Sequence, residues 1–166
     1  LALEIGPGEG AFLAELAPRF ERVIGLDVSE AMLASAAQFV DSAGLGNVEL
    51  QHGDTASALE LGIKADCIVA NMVLHHTSSP ADVFHEIAQL LAPGGSFFLT
   101  ELCHHDQVWA REACGDVWLG FDPIDISQWA SACALEETKQ LYFAQRNGFS
   151  VQVRQFTHNK AAATAG

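Results

Sequence analysis

Three glycines follow a short apolar segment at the start of the chain. The segment Leu1–Ile5 runs into Gly6, Gly8 and Gly10, and Glu4 precedes the first glycine by two residues. Glycine lets a ligand lie close to the backbone because it has no Cβ, and it tolerates positive φ. A helix that begins after such a loop points its free N–H groups at the same ligand. The pattern therefore predicts a nucleotide-like cofactor.

An aspartate at the end of the next predicted strand is suited to bind a ribose. Asp27 lies near the end of the segment Arg22–Val28, 19 residues after Gly8. A carboxylate in this place accepts hydrogen bonds from ribose hydroxyls. The segment Gly6–Ala11 fits a GxGxG loop, but it also fits the GxGxxA variant of dinucleotide-binding proteins. An NAD-dependent enzyme is therefore the alternative at this point.

The acids near the loop favour a cationic cofactor over a dinucleotide. Glu4 and Glu9 place negative charge where a pyrophosphate would lie, and like charges repel each other. Gly53 and Asp54 follow the third predicted strand, where a carboxylate can accept a hydrogen bond from an adenine amino group. S-adenosylmethionine carries adenine, ribose, an ammonium group and a sulfonium. It fits this acidic lining better than NAD does.

Predicted strands and helices alternate along most of the chain. The apolar segments that we expect to form strands are Leu1–Ile5, Arg22–Val28, Asn47–His52, Ala65–Asn71 and Ser96–Leu102. The expected helices are Ala11–Leu16, Glu30–Ala43, one that begins after Ser79 and ends before Pro93-Gly94-Gly95, and one from Asp122 to about Cys133. The segments Thr138–Gln145 and Phe149–Phe156 alternate polar and apolar residues and predict a hairpin. The pattern predicts an α/β fold with a doubly wound, mostly parallel seven-stranded sheet and a C-terminal antiparallel hairpin.

Five segments, taken in order, resemble the class I S-adenosylmethionine-dependent methyltransferases. They are Glu4–Gly10, Gly25–Ser29, Gly53–Thr55, Ala65–His76 and Leu90–Gly95. The resemblance implies a Rossmann-like methyltransferase domain over residues 1–158 and methyl transfer from S-adenosylmethionine to a small-molecule acceptor. It also implies the residues that hold the cofactor, namely Glu4, Gly6, Gly8, Gly10, Asp27, Val28, Met32, Gly53, Asp54, Thr55 and Asn71.

Three later segments are similar to the methyltransferase domains joined to ArsR-type winged-helix regulators in bacteria. They are His104–Gln107, Gly115–Phe121 and Arg146–Phe149. This narrower resemblance implies a DNA-binding domain before Leu1, and the chain begins inside its first predicted strand. We therefore expect an N-terminally truncated domain. The alternative function is an S-adenosylmethionine-sensing domain of a transcriptional regulator. Residues 159–166 are expected to form a flexible tail.

Histidines follow the fourth and fifth predicted strands, where an acceptor would bind. Adjacent residues of an extended segment point to opposite faces, so at most one of His75 and His76 should face the acceptor. A histidine can serve as a general base, although the sequence singles none out. We predict no metal site, because the consecutive residues 103–106 cannot easily surround one tetrahedral ion. Four residues are assigned to the substrate pocket: His75, His76, His105 and Trp118.

The composition argues against several classes of partner. The chain has 21 acidic and 8 basic residues, and its formal charge of −13 argues against binding to nucleic acid through this domain. No apolar run is long enough to span a bilayer, and no segment resembles a signal peptide. The four dispersed cysteines are expected to be free thiols. We expect a cytoplasmic protein with a small-molecule acceptor as its partner, and a homodimer remains open.

Overall fold

The computed structural model describes residues 1–158 and shows one mixed sheet covered by helices. The strands are β1 (Ala2–Ile5), β2 (Val23–Asp27), β3 (Val48–His52), β4 (Ala65–Asn71), β5 (Leu91–Leu102), β6 (Leu135–Ala144) and β7 (Ser150–His158). The helices are α1 (Leu13–Leu16), α2 (Glu30–Ala43), α3 (Thr55–Glu60), α4 (Pro80–Leu90), α5 (Trp109–Cys114) and α6 (Pro123–Ala132). The predicted tail, residues 159–166, lies outside the described residues.

The seven strands have the order β3-β2-β1-β4-β5-β7-β6 across the sheet. The five strands from β3 to β5 pair in parallel, whereas β7 pairs antiparallel with both β5 and β6. This order confirms the predicted doubly wound sheet with its C-terminal antiparallel hairpin. The strand order also reverses between β1 and β4. Open α/β sheets bind their ligands at such a reversal.

The central strand β1 is buried along its whole length. Leu3 pairs with Ile24 of β2 on one side and with Ile68 of β4 on the other, and all three side chains are buried. Helices cover both faces of a parallel sheet, so its inner strands are expected to be apolar throughout. Glu4 breaks this rule, because its carboxylate lies in the same strand and is only 2% exposed.

Local capping signals determine the bounds of the second helix and also produce a third one. α2 begins after Ser29, whose hydroxyl accepts a hydrogen bond from the Met32 N–H, and it ends at Gly44 in the left-handed conformation. Both bounds of α2 were predicted. The predicted elements did not include α3, which begins after Asp54. There the Asp54 carboxylate and the Ser57 hydroxyl form a reciprocal capping box.

The fifth strand begins five residues earlier than predicted. The segment Pro93-Gly94-Gly95 was expected to separate α4 from a strand at Ser96, but β5 follows α4 directly at Leu91. Leu91 pairs with Ala65, and the register then shifts so that Ser96 pairs with Cys67. The turn-forming residues are therefore accommodated as a bulge within the strand rather than as a loop before it.

All four cysteines are free, as predicted. Among residues 1–158, no helix has both the length and the apolar character that crossing a bilayer requires.

A buried arginine connects the hairpin to the last helix. The Arg154 guanidinium on β7 donates two hydrogen bonds to the Glu137 carboxylate on β6, at 2.9 and 2.6 Å. It also donates to the Ser127 hydroxyl of α6 at 2.6 Å and to the Gln152 side-chain oxygen at 2.8 Å. The Arg154 side chain is only 1% exposed. Removing the guanidinium would therefore take the charged partner from the half-buried Glu137 carboxylate, which would keep only the hydrogen bond from the Ser127 hydroxyl. It would also take this donor from the Gln152 side-chain oxygen.

We expect the substitution Arg154→Ala to lower the free energy of unfolding by about 3–5 kcal/mol, because it leaves the Glu137 charge unpaired in a largely buried place. Urea unfolding followed by circular dichroism measures the loss. Arg22→Ala is the matched control, since Arg22 pairs with Glu49 at the exposed surface and should matter much less. Equal losses in the two variants would contradict this interpretation of the Arg154 network.

Candidate functional site

A cavity of about 710 Å³ opens at the carboxyl ends of the parallel strands. It lies at the point where the strand order reverses, between β1 and β4. The structure brings most of the predicted cofactor residues and one predicted substrate residue into its lining. These residues are Gly6, Gly8, Asp27, Val28, Met32, Gly53, Asp54, Thr55 and His76.

A second cavity of about 800 Å³ opens at the opposite edge of the sheet. Lys64, His85 and Cys133 are among the residues that line it. It shares no residue with the first cavity and contains none of the residues predicted to bind cofactor or substrate. We therefore assign the functional site to the carboxyl edge.

The glycines of the first loop have different structural roles. Gly6 has a φ of +63°, and a Cβ at this position would lie 2.5 Å from a methyl carbon of Val73. Gly8 has a φ of +55° and borders open space in the cavity. Gly10 does not line the cavity, and a Cβ there would lie 3.3 Å from the Cα of Ala36 in α2. The first two glycines shape the ligand site, whereas Gly10 lets α2 approach the loop.

The predicted adenosine-binding residues lie at the ends of β2 and β3. One carboxylate oxygen of Asp27 accepts a hydrogen bond from the Ser29 N–H at 2.8 Å, which fixes the side chain at the cavity wall. The Ser57 hydroxyl and N–H hold the pKa of the Asp54 carboxyl below its ordinary value, so this group is ionised. Val28 and Met32 expose apolar surface beside the two acids. The arrangement offers acceptors for hydroxyl and amino groups next to a surface that a flat ring can cover.

Two acids of α4 that were not among the predicted site residues also line the cavity. Asp82 and Glu86 are four residues apart and therefore lie on the same face of the helix. Thr55 donates a hydrogen bond from its hydroxyl to the Glu86 carboxylate, which connects α3 to α4 behind the cavity. The i, i+4 spacing of two carboxylates next to apolar core positions was the available signal. This spacing does not show which face of α4 borders the cavity, since that depends on how α4 packs across α3.

The cavity lining carries negative charge and contains neither lysine nor arginine. Its four carboxylates are Asp27, Asp54, Asp82 and Glu86. A pyrophosphate in this cavity would meet acids on several sides and no lysine or arginine among the lining residues. A cofactor with a positive charge meets attraction instead. The charge of the lining therefore disfavours the dinucleotide alternative.

Glu4 and Asn71 lie directly behind the cavity wall rather than in its lining. Burial raises the pKa of the Glu4 carboxyl to about 7, against the weaker, opposing effect of a hydrogen bond with Asn71. One Glu4 oxygen, Oε2, has no hydrogen-bond partner among the described residues. The next residue after Asn71 is Met72, which lines the cavity with a φ of +56°. A non-glycine residue in this conformation is strained, and such strain is concentrated at functional sites.

The two adjacent histidines converge, because the segment is not extended as the prediction assumed, although only one of them lines the cavity. They lie in a short 3-10 helix, Leu74–His76, and not in an extended segment. Nε2 of His75 and Nδ1 of His76 lie 3.7 and 3.8 Å from the same oxygen, Oδ1 of Asp116. His76 lines the cavity, whereas His75 is buried behind it.

A carboxylate on β5 holds the ring of His75. Nδ1 of His75 donates to Oε1 of Glu101 at 2.6 Å, and the His75 backbone N–H also points at this carboxylate. Burial alone lowers the pKa of His75, but the hydrogen bond to Glu101 and the charges of Glu101 and Asp116 together raise it above its ordinary value.

The other two residues predicted for the substrate pocket lie outside the cavity lining. Trp118 donates from its indole nitrogen to the carbonyl oxygen of Thr77 at 3.0 Å, and Thr77 lines the cavity. Trp118 is therefore at the rim. His105 is buried against the ring of Phe149, and its Nε2 has no partner among the described residues.

Residues 3–99 match the model of a family described as a methyltransferase domain. The chain belongs to this family. The membership confirms the predicted enzyme class, an S-adenosylmethionine-dependent methyltransferase. The match contains the glycine loop, the Asp27 strand end and the two adjacent histidines.

Curated relatives and solved structures agree with the family. The chain is 29% identical over 99 residues to an uncharacterized methyltransferase of Bacillus subtilis, YcgJ, covering 60% of this chain and 39% of that protein. It is 30% identical over 113 residues to a ubiquinone biosynthesis O-methyltransferase of Stutzerimonas stutzeri, covering 68% and 49% of the two chains. The aligned segments thus span less than half the length of these relatives.

Two solved structures share the fold of this methyltransferase domain. The crystal structure of YcgJ from Bacillus subtilis has a TM-score of 0.78 at 18% identity, covering 95% of this chain and 91% of that one. The N-methyltransferase NodS from Bradyrhizobium japonicum, in complex with S-adenosyl-L-homocysteine, has a TM-score of 0.76 at 22% identity, covering 95% and 76%.

The raised pKa of Glu4 predicts how the stability of the unliganded methyltransferase domain depends on pH. The fold favours the protonated carboxyl, so this contribution is fully present below the ordinary pKa of 4.5 and is lost as the pH rises through about 7. The loss amounts to about 3 kcal/mol between these two pKa values. Glu4→Gln should remove this part of the pH dependence and unfold at higher urea concentration than the parent at pH 8.

The control for this measurement is Glu9→Gln, which changes an exposed acid of the same loop. It should keep the pH dependence of the parent chain. The measurement is the free energy of unfolding in urea at pH 5 and pH 8. An unchanged pH dependence of this free energy in Glu4→Gln would show that Glu4 does not cause it.

Proposed function

We propose that this chain transfers the methyl group of S-adenosylmethionine to a small-molecule acceptor. The observation that carries the proposal is the anionic cavity behind the glycine loop at the carboxyl edge of the sheet. S-adenosylmethionine brings a sulfonium and an ammonium group, so its charge is opposite to that of the lining. Family membership supports the same reaction class.

The adenosine half of the cofactor fits the side of the cavity formed by β2, β3 and α3. In the proposal the Asp27 carboxylate accepts hydrogen bonds from the ribose hydroxyls. The free oxygen of Asp54 accepts from the adenine amino group, while its other oxygen caps α3. The exposed apolar surfaces of Val28 and Met32 cover the adenine ring.

The methionine half of the cofactor fits against the glycine loop. Gly6 and Gly8 leave room for the carboxylate of the cofactor close to the backbone. The ammonium group is directed toward Glu4 and Asn71, where a carboxylate oxygen lacks a partner. An ammonium near Glu4 favours the ionised carboxylate, so cofactor binding should draw the proton from this group.

The acceptor is proposed to approach the methyl group between His76, Thr77 and the rim residue Trp118. An electron pair of the acceptor forms a bond to the methyl carbon while the carbon–sulfur bond breaks and its electrons go to sulfur. S-adenosylhomocysteine leaves as the second product. The donor is already activated, so the protein contributes alignment and a dry pocket. A histidine takes up the proton if the acceptor loses one.

The charge and composition of the chain support a small-molecule acceptor and a place in the cytoplasm. The net charge of −13 disfavours a nucleic acid as the acceptor. Relatives are named for ubiquinone biosynthesis and for N-methylation, so both oxygen and nitrogen acceptors belong in a screen. The free cysteines are consistent with the cytoplasm as the place of action. We also propose a homodimer, and a measurement of molecular mass in solution tests this oligomeric state.

Isothermal titration tests the proposed cofactor and its site. We expect S-adenosylmethionine and S-adenosylhomocysteine to bind the chain, and NADH not to bind. Asp27→Asn should weaken binding by at least about ten-fold, because hydrogen bonds to a charged acceptor contribute about 1.5–3 kcal/mol each. Asp41→Asn, which removes the same charge from the exposed end of α2, should bind like the parent chain. Equal affinities of the two variants would contradict the assignment of Asp27.

A turnover assay distinguishes the proposed methyltransferase from a domain that only senses the cofactor. We expect S-adenosylhomocysteine to accumulate when the chain is incubated with S-adenosylmethionine and a panel of phenols, amines, thiols and carbon acids. Tight cofactor binding without turnover of any acceptor would instead favour the second candidate function, a sensing domain of an ArsR-type transcriptional regulator. Failure of both cofactor forms to bind would remove both functions.

A further inference from the structure

Three potential ligand atoms converge beside the cofactor cavity, on residues that come from two distant segments. His75 and His76 follow β4, and Asp116 follows α5 some forty residues later. One ligand atom of each lies within 4.8 Å of the other two. The two measured nitrogen–oxygen distances, 3.7 and 3.8 Å, are too long for hydrogen bonds. They approach the separation of roughly 3.4 Å that two ligands show around one ion at about 2.1 Å.

Asp116 carries a buried oxygen that nothing in the described residues satisfies. Its side chain is 5% exposed, and Oδ1, the atom at which the two histidines converge, has no hydrogen-bond partner. A buried carboxylate oxygen without a partner is costly, so the position in front of it favours a cation or a hydrogen-bond donor. An imidazole nitrogen could meet this need only if it carried a proton, and both histidine nitrogens lie beyond hydrogen-bond distance from Oδ1.

Glu101 orients His75 in the way that carboxylates orient metal-bound imidazoles. Its carboxylate is fully buried and accepts from Nδ1 of His75 at 2.6 Å. This leaves Nε2 of His75 as the nitrogen that faces Asp116 and can coordinate an ion. A hydrogen bond from the outer ring nitrogen to a carboxylate fixes the tautomer and raises the basicity of the coordinating nitrogen.

We propose that His75, His76 and Asp116 bind one divalent transition-metal ion. Two imidazoles and a carboxylate suit ions such as Zn²⁺, Co²⁺ or Mn²⁺, whereas Mg²⁺ and Ca²⁺ prefer oxygen ligands alone. The charges of Asp116 and Glu101 balance a doubly charged ion. This proposal revises the expectation of no metal site, which considered only the consecutive residues 103–106. It does not depend on the methyl-transfer function.

Such an ion would lie at the wall of the cofactor cavity, because His76 is part of the lining. Three protein ligands leave a fourth position of a tetrahedral ion open for water or for a ligand atom. The ion would also tie the segment after α5 to the end of β4. At present the contacts between them are the hydrogen bonds from the Val117 and Trp118 N–H groups to the His75 carbonyl, together with the Trp118 contact to Thr77.

Metal titration of the chelator-treated chain, without any histidine tag, tests the proposal. We expect one Zn²⁺ or Mn²⁺ per chain in isothermal titration, with a rise in the unfolding temperature when the ion is present. His76→Asn and Asp116→Asn should each weaken binding by at least about ten-fold, and Glu101→Gln by about ten- to a hundred-fold. His85→Asn changes an exposed histidine outside the cluster and should bind like the parent chain.

Circular dichroism and urea unfolding of the same variants show whether each remains folded. Asp116→Asn removes an unpaired buried charge, so the metal-free variant should be at least as stable as the parent. The visible spectrum of the Co²⁺-loaded chain gives a second measurement, which should change in His76→Asn but not in His85→Asn. Binding weaker than about 100 µM, or equal binding by Asp116→Asn and the parent chain, would overturn the proposal.

Discussion

The parallel pairing of β1 with β2 and β4 is the constraint on which the site depends. Each pairing brings the carboxyl end of one strand next to the carboxyl end of its neighbour. Gly6, Asp27 and Asn71 follow or end these three strands, so they meet at one edge of the sheet although they are far apart in the sequence. The buried apolar side chains of the three strands make this register costly to shift, because a one-residue slip would turn Glu4 and its neighbours to the opposite faces.

The negative charge of the cavity comes from the acidic side chains at the same edge of the sheet. Four carboxylates line it, two at the ends of β2 and β3 and two on α4, and no lysine or arginine among the lining residues opposes them. Glu4 lies behind them in a place where burial favours its neutral form. Below about pH 7 the unliganded domain therefore avoids a fifth adjacent charge. In the proposed complex a cationic cofactor would reverse this balance, because its ammonium group would favour the ionised carboxylate of Glu4.

Much of the cofactor side could be predicted from the sequence, because its residues lie next to the strand ends that position them. Asp27, Val28 and Met32 follow from the position of β2 and the start of α2, and the structure places all three in the cavity lining. Asp82 was missed because its place depends on how α4 packs across α3. The beginning of β5 was missed because a Pro-Gly-Gly segment predicts a turn locally, while pairing with Ala65 incorporates it as a bulge.

The acceptor side could not be predicted in the same way. His75 and Asp116 are brought together by a segment with weak periodicity, whose path depends on tertiary contacts such as the one from Trp118 to Thr77. The 3-10 helix at Leu74–His76 changes the direction of both histidines. No side-chain capping signal in the sequence predicts this helix. Local patterns therefore position the residues proposed to bind the cofactor, whereas long-range contacts position those proposed to face the acceptor.

A crystal structure of the chain with S-adenosylhomocysteine tests the central claim most directly. The account predicts the ribose hydroxyls at the Asp27 carboxylate, the adenine between Val28 and Asp54, and the ammonium group directed at Glu4. The sulfur atom should lie on the side of the cavity that His76 lines. A product molecule bound elsewhere, or bound here with its ammonium group away from Glu4, would contradict the account.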